Sequence, residues 1–197
     1  MKSTNKFSAL HRLLHWIMAI AMTVLFITGF LRMKWMSKTS IKTALGEQFA
    51  STPLQDEQVR GAIKSIQGPM WEWHEIFANV MILSFLVRIV YMLVKGIRFP
   101  NPFKSGISVR QRFQGMIYVY FYVFLAVSAF TGICIEKEFF TAYEDTFETV
   151  HKWGLYWVPL FILLHFGGVA LADHTRDKGF ASKLLGGDSY HLHRIYC

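Results

Sequence analysis

Four long apolar runs separated by polar stretches dominate the chain: Leu13 to Leu31, Ile76 to Val94, Met116 to Ile135 and Trp153 to Ala172. Crossing the hydrocarbon of a bilayer takes about 20 mostly apolar residues. Backbone groups in lipid must find partners within their own segment, so runs of this length are predicted to be helices. With interfacial ends added, the predicted spans cover about 11–33, 71–95, 112–135 and 151–173 of a single domain, 1–187, followed by a short tail, 188–197. The predicted fold class is an all-α membrane protein, a bundle of four transmembrane helices. Pro159 is expected to kink the last span by removing one backbone bond and crowding the preceding turn. The first run lacks an A-x-A site and reads as a retained span, not a cleaved signal peptide.

A long loop, Met33 to Met70, joins the first two spans. Between Thr52 and Ile66 it reads as a short amphipathic helix, capped by Ser51 or Thr52 and stopped by Gly68-Pro69. The tail from Thr175 to Cys197 carries a second short candidate helix near Phe180 to Leu185.

Composition agrees with the spans. Charged residues make up 17% of the chain, against roughly 25% in soluble domains. The net charge of +8 is of the kind basic loops give to membrane proteins and does not call for a nucleic-acid partner. Loop charge also predicts orientation. Lys95, Arg98, Lys104, Arg110 and Arg112 fill the middle loop without an acid, whereas Glu136, Glu138, Glu144, Asp145 and Glu148 surround a single Lys137 in the last. The positive-inside rule then places both termini in the cytoplasm, although Arg32, Lys34, Lys38 and Lys42 pull the other way. Cys134 and Cys197 fall on opposite sides and are not expected to pair, and no CxxCH is present for covalent haem.

Ionisable groups at membrane depth are costly, so the histidines there need a reason. His15 opens the first span on the inner side, and His74 opens the second on the outer side. His151 opens the fourth, and His165 follows it by 14 residues. Fourteen residues are close to four helical turns, so His151 and His165 share a face about 21 Å apart along the axis. Two layers result: His15 with His165 in the inner half, and His74 with His151 in the outer half. This is the arrangement needed for bis-imidazole ligation of two b-type haems held in a bundle core.

Smaller signals accompany it. Gly29 lies 14 residues after His15 on the same face, where a missing Cβ suits a porphyrin wall. Gly115, Gly132, Gly167 and Gly168 serve equally well for helix packing. Arg88 lies 14 residues after His74, at the level of the inner haem, and is a candidate partner for a propionate or a snorkelling cation.

His15-Trp16, the His74 to Arg88 spacing, and the His151 to His165 spacing with its sequel Gly167-Gly168-Val169-Ala170-Leu171-Ala172 together resemble the bacterial cytochrome b561 family. That family includes the related cytochrome b subunits of hydrogenases and thiosulfate-type reductases. The resemblance covers about Phe7 to Gly187. It implies a di-haem electron carrier of the bacterial inner membrane. His15 and His165 would ligate one haem b, His74 and His151 the other, with quinone or quinol as the exchange partner. Some members act alone, including a superoxide-to-quinone oxidoreductase, and others anchor a redox subunit. The long outer loop and the His191/His193 tail depart from the compact members.

Plainer roles fit other residues. His11 suits the headgroup interface, His174 a proton-handling or structural role, and His191 and His193 a solvated tail. Tyr118, Tyr120, Phe121, Tyr122 and Phe124 suit packing more than an electron path. Trp71, Trp73, Trp153 and Trp157 suit an aromatic belt. A histidine-based metal-ion transporter and a haem-free structural subunit are the competing classes. The transporter is disfavoured because no carboxylate lies inside the apolar runs and the histidines form two layers instead of one midplane site.

Overall fold

A computed structural model describes residues 8–52, 54–97 and 101–174, the last four of these by backbone alone. The described residues form α1 (Ala9–Met33), α2 (Lys38–Gln48), α3 (Asp56–Lys95), α4 (Val109–Glu136), α5 (Glu144–Lys152) and α6 (Gly154–His174), with a 3-10 turn at Thr141–Tyr143. No strand occurs among them. Four segments are long and apolar enough to cross a membrane: α1, α3, α4, and the stretch from Thr141 to Ala170 that includes α5 and most of α6. The chain is a multi-pass membrane protein.

Polar residues set the helix ends. The Ser8 hydroxyl accepts the His11 N–H to open α1, and the Ser37 hydroxyl accepts the Ser40 N–H to open α2. At α4 the Ser108 hydroxyl accepts the Gln111 N–H, and the Gln111 side chain takes the Ser108 N–H in return. Each such cap satisfies a donor that the first turn leaves orphaned. Gly96 ends α3 at φ +64°, in the left-handed region that favours glycine.

Three features of the chain path differ from expectation. The loop after α1 contains α2, where no helix was anticipated. The helix expected to stop at Gly68-Pro69 instead runs on, so that α3 is one continuous 40-residue helix with Pro69 inside it. A proline's fixed φ is a helical φ, and its cost is one missing bond and a crowded carbonyl. A helix that continues on both sides can carry that cost. The last span is interrupted at Trp153, between α5 and α6, upstream of Pro159, which lies within α6.

The helices pack as two pairs. α1 lies along α3, α4 lies against α5 and α6, and α1 meets α6 across the divide. Met18, Ala21, Met81 and Leu125 form a buried apolar cluster flanked by Met22, Leu25, Phe77 and Phe121. Met18 and Ala21 fall between His15 and Thr28 on α1, and Met81 falls between His74 and Arg88 on α3. The core therefore fills the interval between the two histidine levels. The outer surface is apolar and exposed, as at Leu83 (65%), Leu93 (75%) and Leu163 (71%). Such a surface belongs against lipid. The short candidate helix near Phe180 to Leu185, the tail, and His191, His193 and Cys197 lie outside the described residues.

Candidate functional site

Each histidine layer joins one helix pair to the other. His15 on α1 faces His165 on α6, with ring centroids 6.0 Å apart. His74 on α3 faces His151 on α5, with centroids 6.2 Å apart. An imidazole nitrogen binds a first-row metal at about 2 Å and lies about 1 Å from its own ring centre, so a metal between two opposed rings sets their centroids about 6 Å apart. Both spacings match. Among the described residues no three His, Cys, Asp or Glu side chains gather to hold a metal. Each layer offers two donors, which suits an iron that brings four equatorial nitrogens of its own.

The His74/His151 layer has a built surround. A cavity of about 280 Å³ opens beside it, lined by both imidazoles, Gly29, Gly132, Met81 and Phe124 among others. The Thr28 hydroxyl donates to the Val24 carbonyl at 2.8 Å, and its oxygen lies 2.8 Å from His74 Nδ1. The Thr131 hydroxyl likewise donates to the Val127 carbonyl at 2.8 Å, and its oxygen lies 3.2 Å from His151 Nδ1. His151 Nδ1 is also 3.1 Å from the Ser128 carbonyl oxygen. A carbonyl can only accept, so His151 Nδ1 carries the proton. Thr28 spends its own hydrogen on Val24, so His74 Nδ1 is the donor there. Both rings therefore present an unprotonated Nε2, the atom a metal needs.

Glycine follows threonine in both seats. A Cβ built on Gly29 would lie 3.9 Å from His74 Cε1, and one on Gly132 would lie 3.1 Å from His151 Cε1. Both glycines let backbone approach an imidazole. Gly168 instead faces Ile117 and Phe113, each at 3.4 Å, and serves helix packing, while Gly167 has open space beside it. Trp71 stacks on His74 with ring planes 6° apart, and Arg32 sits 4.4 Å from the centre of the Trp71 ring.

The His15/His165 layer is lined by aromatics. Phe161 stacks on His165 at 5.5 Å, and Trp16 and Phe166 meet His15 and His165 edge-on. Neither imidazole has a hydrogen-bond partner among the described residues. Arg88 is buried, at 8% exposure, and its Nε donates to the Tyr122 hydroxyl at 3.1 Å. A snorkelling cation would instead be exposed. His11 lies near Tyr91, with centroids 6.5 Å apart. On α4, Tyr120, Phe121 and Phe124 pack inward on Phe161 and Trp157, and Tyr122 packs on Phe85. The side chain of His174 is outside the described residues.

The structure brings the four histidines singled out from the sequence together in two pairs, and beside them stand Thr28, Ser128 and Thr131, which sequence reasoning did not single out. A usable signal existed: Thr-Gly recurs as Thr28-Gly29 and Thr131-Gly132, each near the C-terminal end of its span.

Comparison with known proteins returns a match between residues 6–187 and the family described as prokaryotic cytochrome b561. No curated protein and no solved structure matches the chain. The family match spans nearly the whole sequence and agrees with four apolar helices and membrane-level histidines. The chain belongs to the prokaryotic cytochrome b561 family, and is a b-type membrane cytochrome of electron transfer.

Proposed function

We propose that the protein carries electrons between two b haems, one ligated by His15 and His165 and the other by His74 and His151, and exchanges them with the quinone pool of the bacterial inner membrane. The observation that carries this reading is the pair of imidazole spacings, 6.0 and 6.2 Å, each bridging the two helix pairs. Bound haem supplies reversible one-electron chemistry at iron. The chain's part is to hold Nε2 of His74 and His151 unprotonated, to admit the ring edges at Gly29 and Gly132, and to exclude water with the Met18, Ala21, Met81 and Leu125 cluster. By helical rise along the unbroken α1, Gly29, which lines the His74/His151 cavity, lies about 21 Å from His15, so two bound haems would sit one above the other. Arg88 suits a propionate of the His15/His165 haem, and both termini lie in the cytoplasm.

The test is a reduced-minus-oxidised spectrum of the purified protein with a haem-to-protein ratio. Two haems per chain are expected. His15→Ala or His165→Ala should remove one, and His74→Ala or His151→Ala the other. Absence of haem overturns the reading. A single haem lost in all four variants overturns the pairing.

A further inference from the structure

We propose that the chain carries a phosphate-binding site at the His74/His151 end of the bundle: a basic cavity formed by Arg32, Lys38, Arg60 and Lys64, which takes the phosphate of a lipid headgroup or a free phosphate. The inference stands apart from haem ligation and uses none of the histidines.

The cavity follows from the chain path. α3 extends N-terminally well beyond its apolar run, and there Arg60, Lys64, Gln67 and Trp71 recur at helical spacing, so they share one face. Gln67 on that face is buried, and its Nε2 donates to the Met36 carbonyl at 2.6 Å. This bond pins the turn between α1 and α2 against α3. The same turn brings in Arg32 from the last turn of α1 and Lys38 from the start of α2. The four cations, with Gln67 and Trp71, line a cavity of about 450 Å³, within the range of roughly 300–1,000 Å³ usual for small-ligand sites. It shares only Trp71 with the cavity beside His74 and His151.

So many cations together need an account. Arg60 and Lys64 are like charges four residues apart on one helix, an unfavourable pair. Lys38 opens α2 at the end where the helix dipole disfavours a cation, and the first turn of α2 holds no acid. No carboxylate lines the cavity. Among the described residues none of the four cations has an ion-pair partner, and Glu148 on α5 is paired with Lys152. Arg32 lies 4.4 Å from the centre of the Trp71 ring, a contact that engages the face of the guanidinium and leaves its N–H edge for an acceptor. An anion in the cavity relieves all of these penalties together. Phosphate fits the donor set better than a carboxylate, because it carries more charged oxygens: guanidinium groups grip two at a time and ammonium groups take the rest. The position fits as well. α1 leaves its apolar run at Arg32, and Trp71 suits an aromatic belt, which lies at headgroup depth.

Calorimetric titration of the purified full-length protein tests the site, at constant ionic strength because salt screens exposed charges. The probes are inorganic phosphate and a short-chain phosphatidylglycerol. Binding of one equivalent per chain is expected, and Arg60→Gln with Lys64→Gln should weaken it by about tenfold. Lys34→Gln with Lys42→Gln removes the same charge from exposed positions nearby that do not line the cavity, and should leave binding nearly unchanged. Binding of the lipid alone makes the membrane the source of the phosphate, and binding of inorganic phosphate alone makes it a solute; either supports the site. Failure of both probes to bind overturns it. So does an equal loss in the two double variants, because the protein would then attract anions only through its net charge. An unchanged haem spectrum and thermal unfolding midpoint in both variants show that the fold is kept.

Discussion

Two seats in this molecule use the same dipeptide for the same purpose and differ in tightness. On α1, Thr28-Gly29 receives His74 from its packing neighbour α3. On α4, Thr131-Gly132 receives His151 from α5. Each threonine bonds back to its own helix, so its hydroxyl hydrogen is spent and its lone pair is left for an imidazole. Each glycine removes the Cβ beside the ring. The α1 seat is roomy, with 3.9 Å at Gly29, and the α4 seat is close, with 3.1 Å at Gly132. Each imidazole faces a threonine hydroxyl and a backbone carbonyl, that of Leu25 on α1 and that of Ser128 on α4. The two rings meet nearly crossed, at 72°, whereas His15 and His165 are inclined by 35°. Imidazole spacing is thus common to both layers, and what distinguishes them is the hydrogen bonding and packing around each ring.

The largest test of this comparison is alanine at each glycine. A methyl at Gly132 needs the His151 ring to yield by a few tenths of an ångström, and two hydrogen bonds from the same helix hold that ring against it. Gly132→Ala is expected to lose most of the haem at His74/His151 while the His15/His165 haem stays. A methyl at Gly29 makes only ordinary van der Waals contact with His74, so Gly29→Ala should cost less haem than Gly132→Ala. Haem-to-protein ratios on the two variants decide it, and equal losses would remove the distinction between the seats.

A second difference concerns stability at the other level. Tyr122→Phe takes the hydroxyl acceptor from the buried Arg88 Nε. A buried charged donor left short of a partner costs about 1–3 kcal/mol. Thermal unfolding in detergent should show that loss. Ser8→Ala, at the exposed cap of α1, should cost about 1 kcal/mol or less.

Much of this was legible before the structure. The four runs and the 14-residue intervals are properties of helical periodicity and lipid thickness, and both are written in one dimension. His15, His74, His151 and His165 stand out because an imidazole at depth has no cheap excuse. Thr28, Ser128 and Thr131 do not stand out, because a hydroxyl or a carbonyl in an apolar helix is usually satisfied by that helix, and only the approach of a second helix shows what else it receives. Arg88 was readable as buried or snorkelling, and the choice between them needed Tyr122 on α4. The continuation of α3 through Pro69 and the break at Trp153 were hidden for a different reason. Both depend on how neighbouring turns share the loss of single backbone bonds, which punctuation residues signal only on average.

The smallest expected effect tests how alike the two acceptor sets are. Thr131→Val removes one of the oxygens facing His151 Nδ1 and leaves the Ser128 carbonyl. Thr28→Val removes the hydroxyl facing His74 Nδ1 and leaves the Leu25 carbonyl, to which that imidazole also bonds. The potential of a haem held by both rings should therefore rise slightly, and by similar amounts, in the two variants. A clearly larger rise in one of them, read by optical redox titration, would mean that its carbonyl does not hold the ring, and the two seats would then differ in hydrogen bonding as well as in clearance.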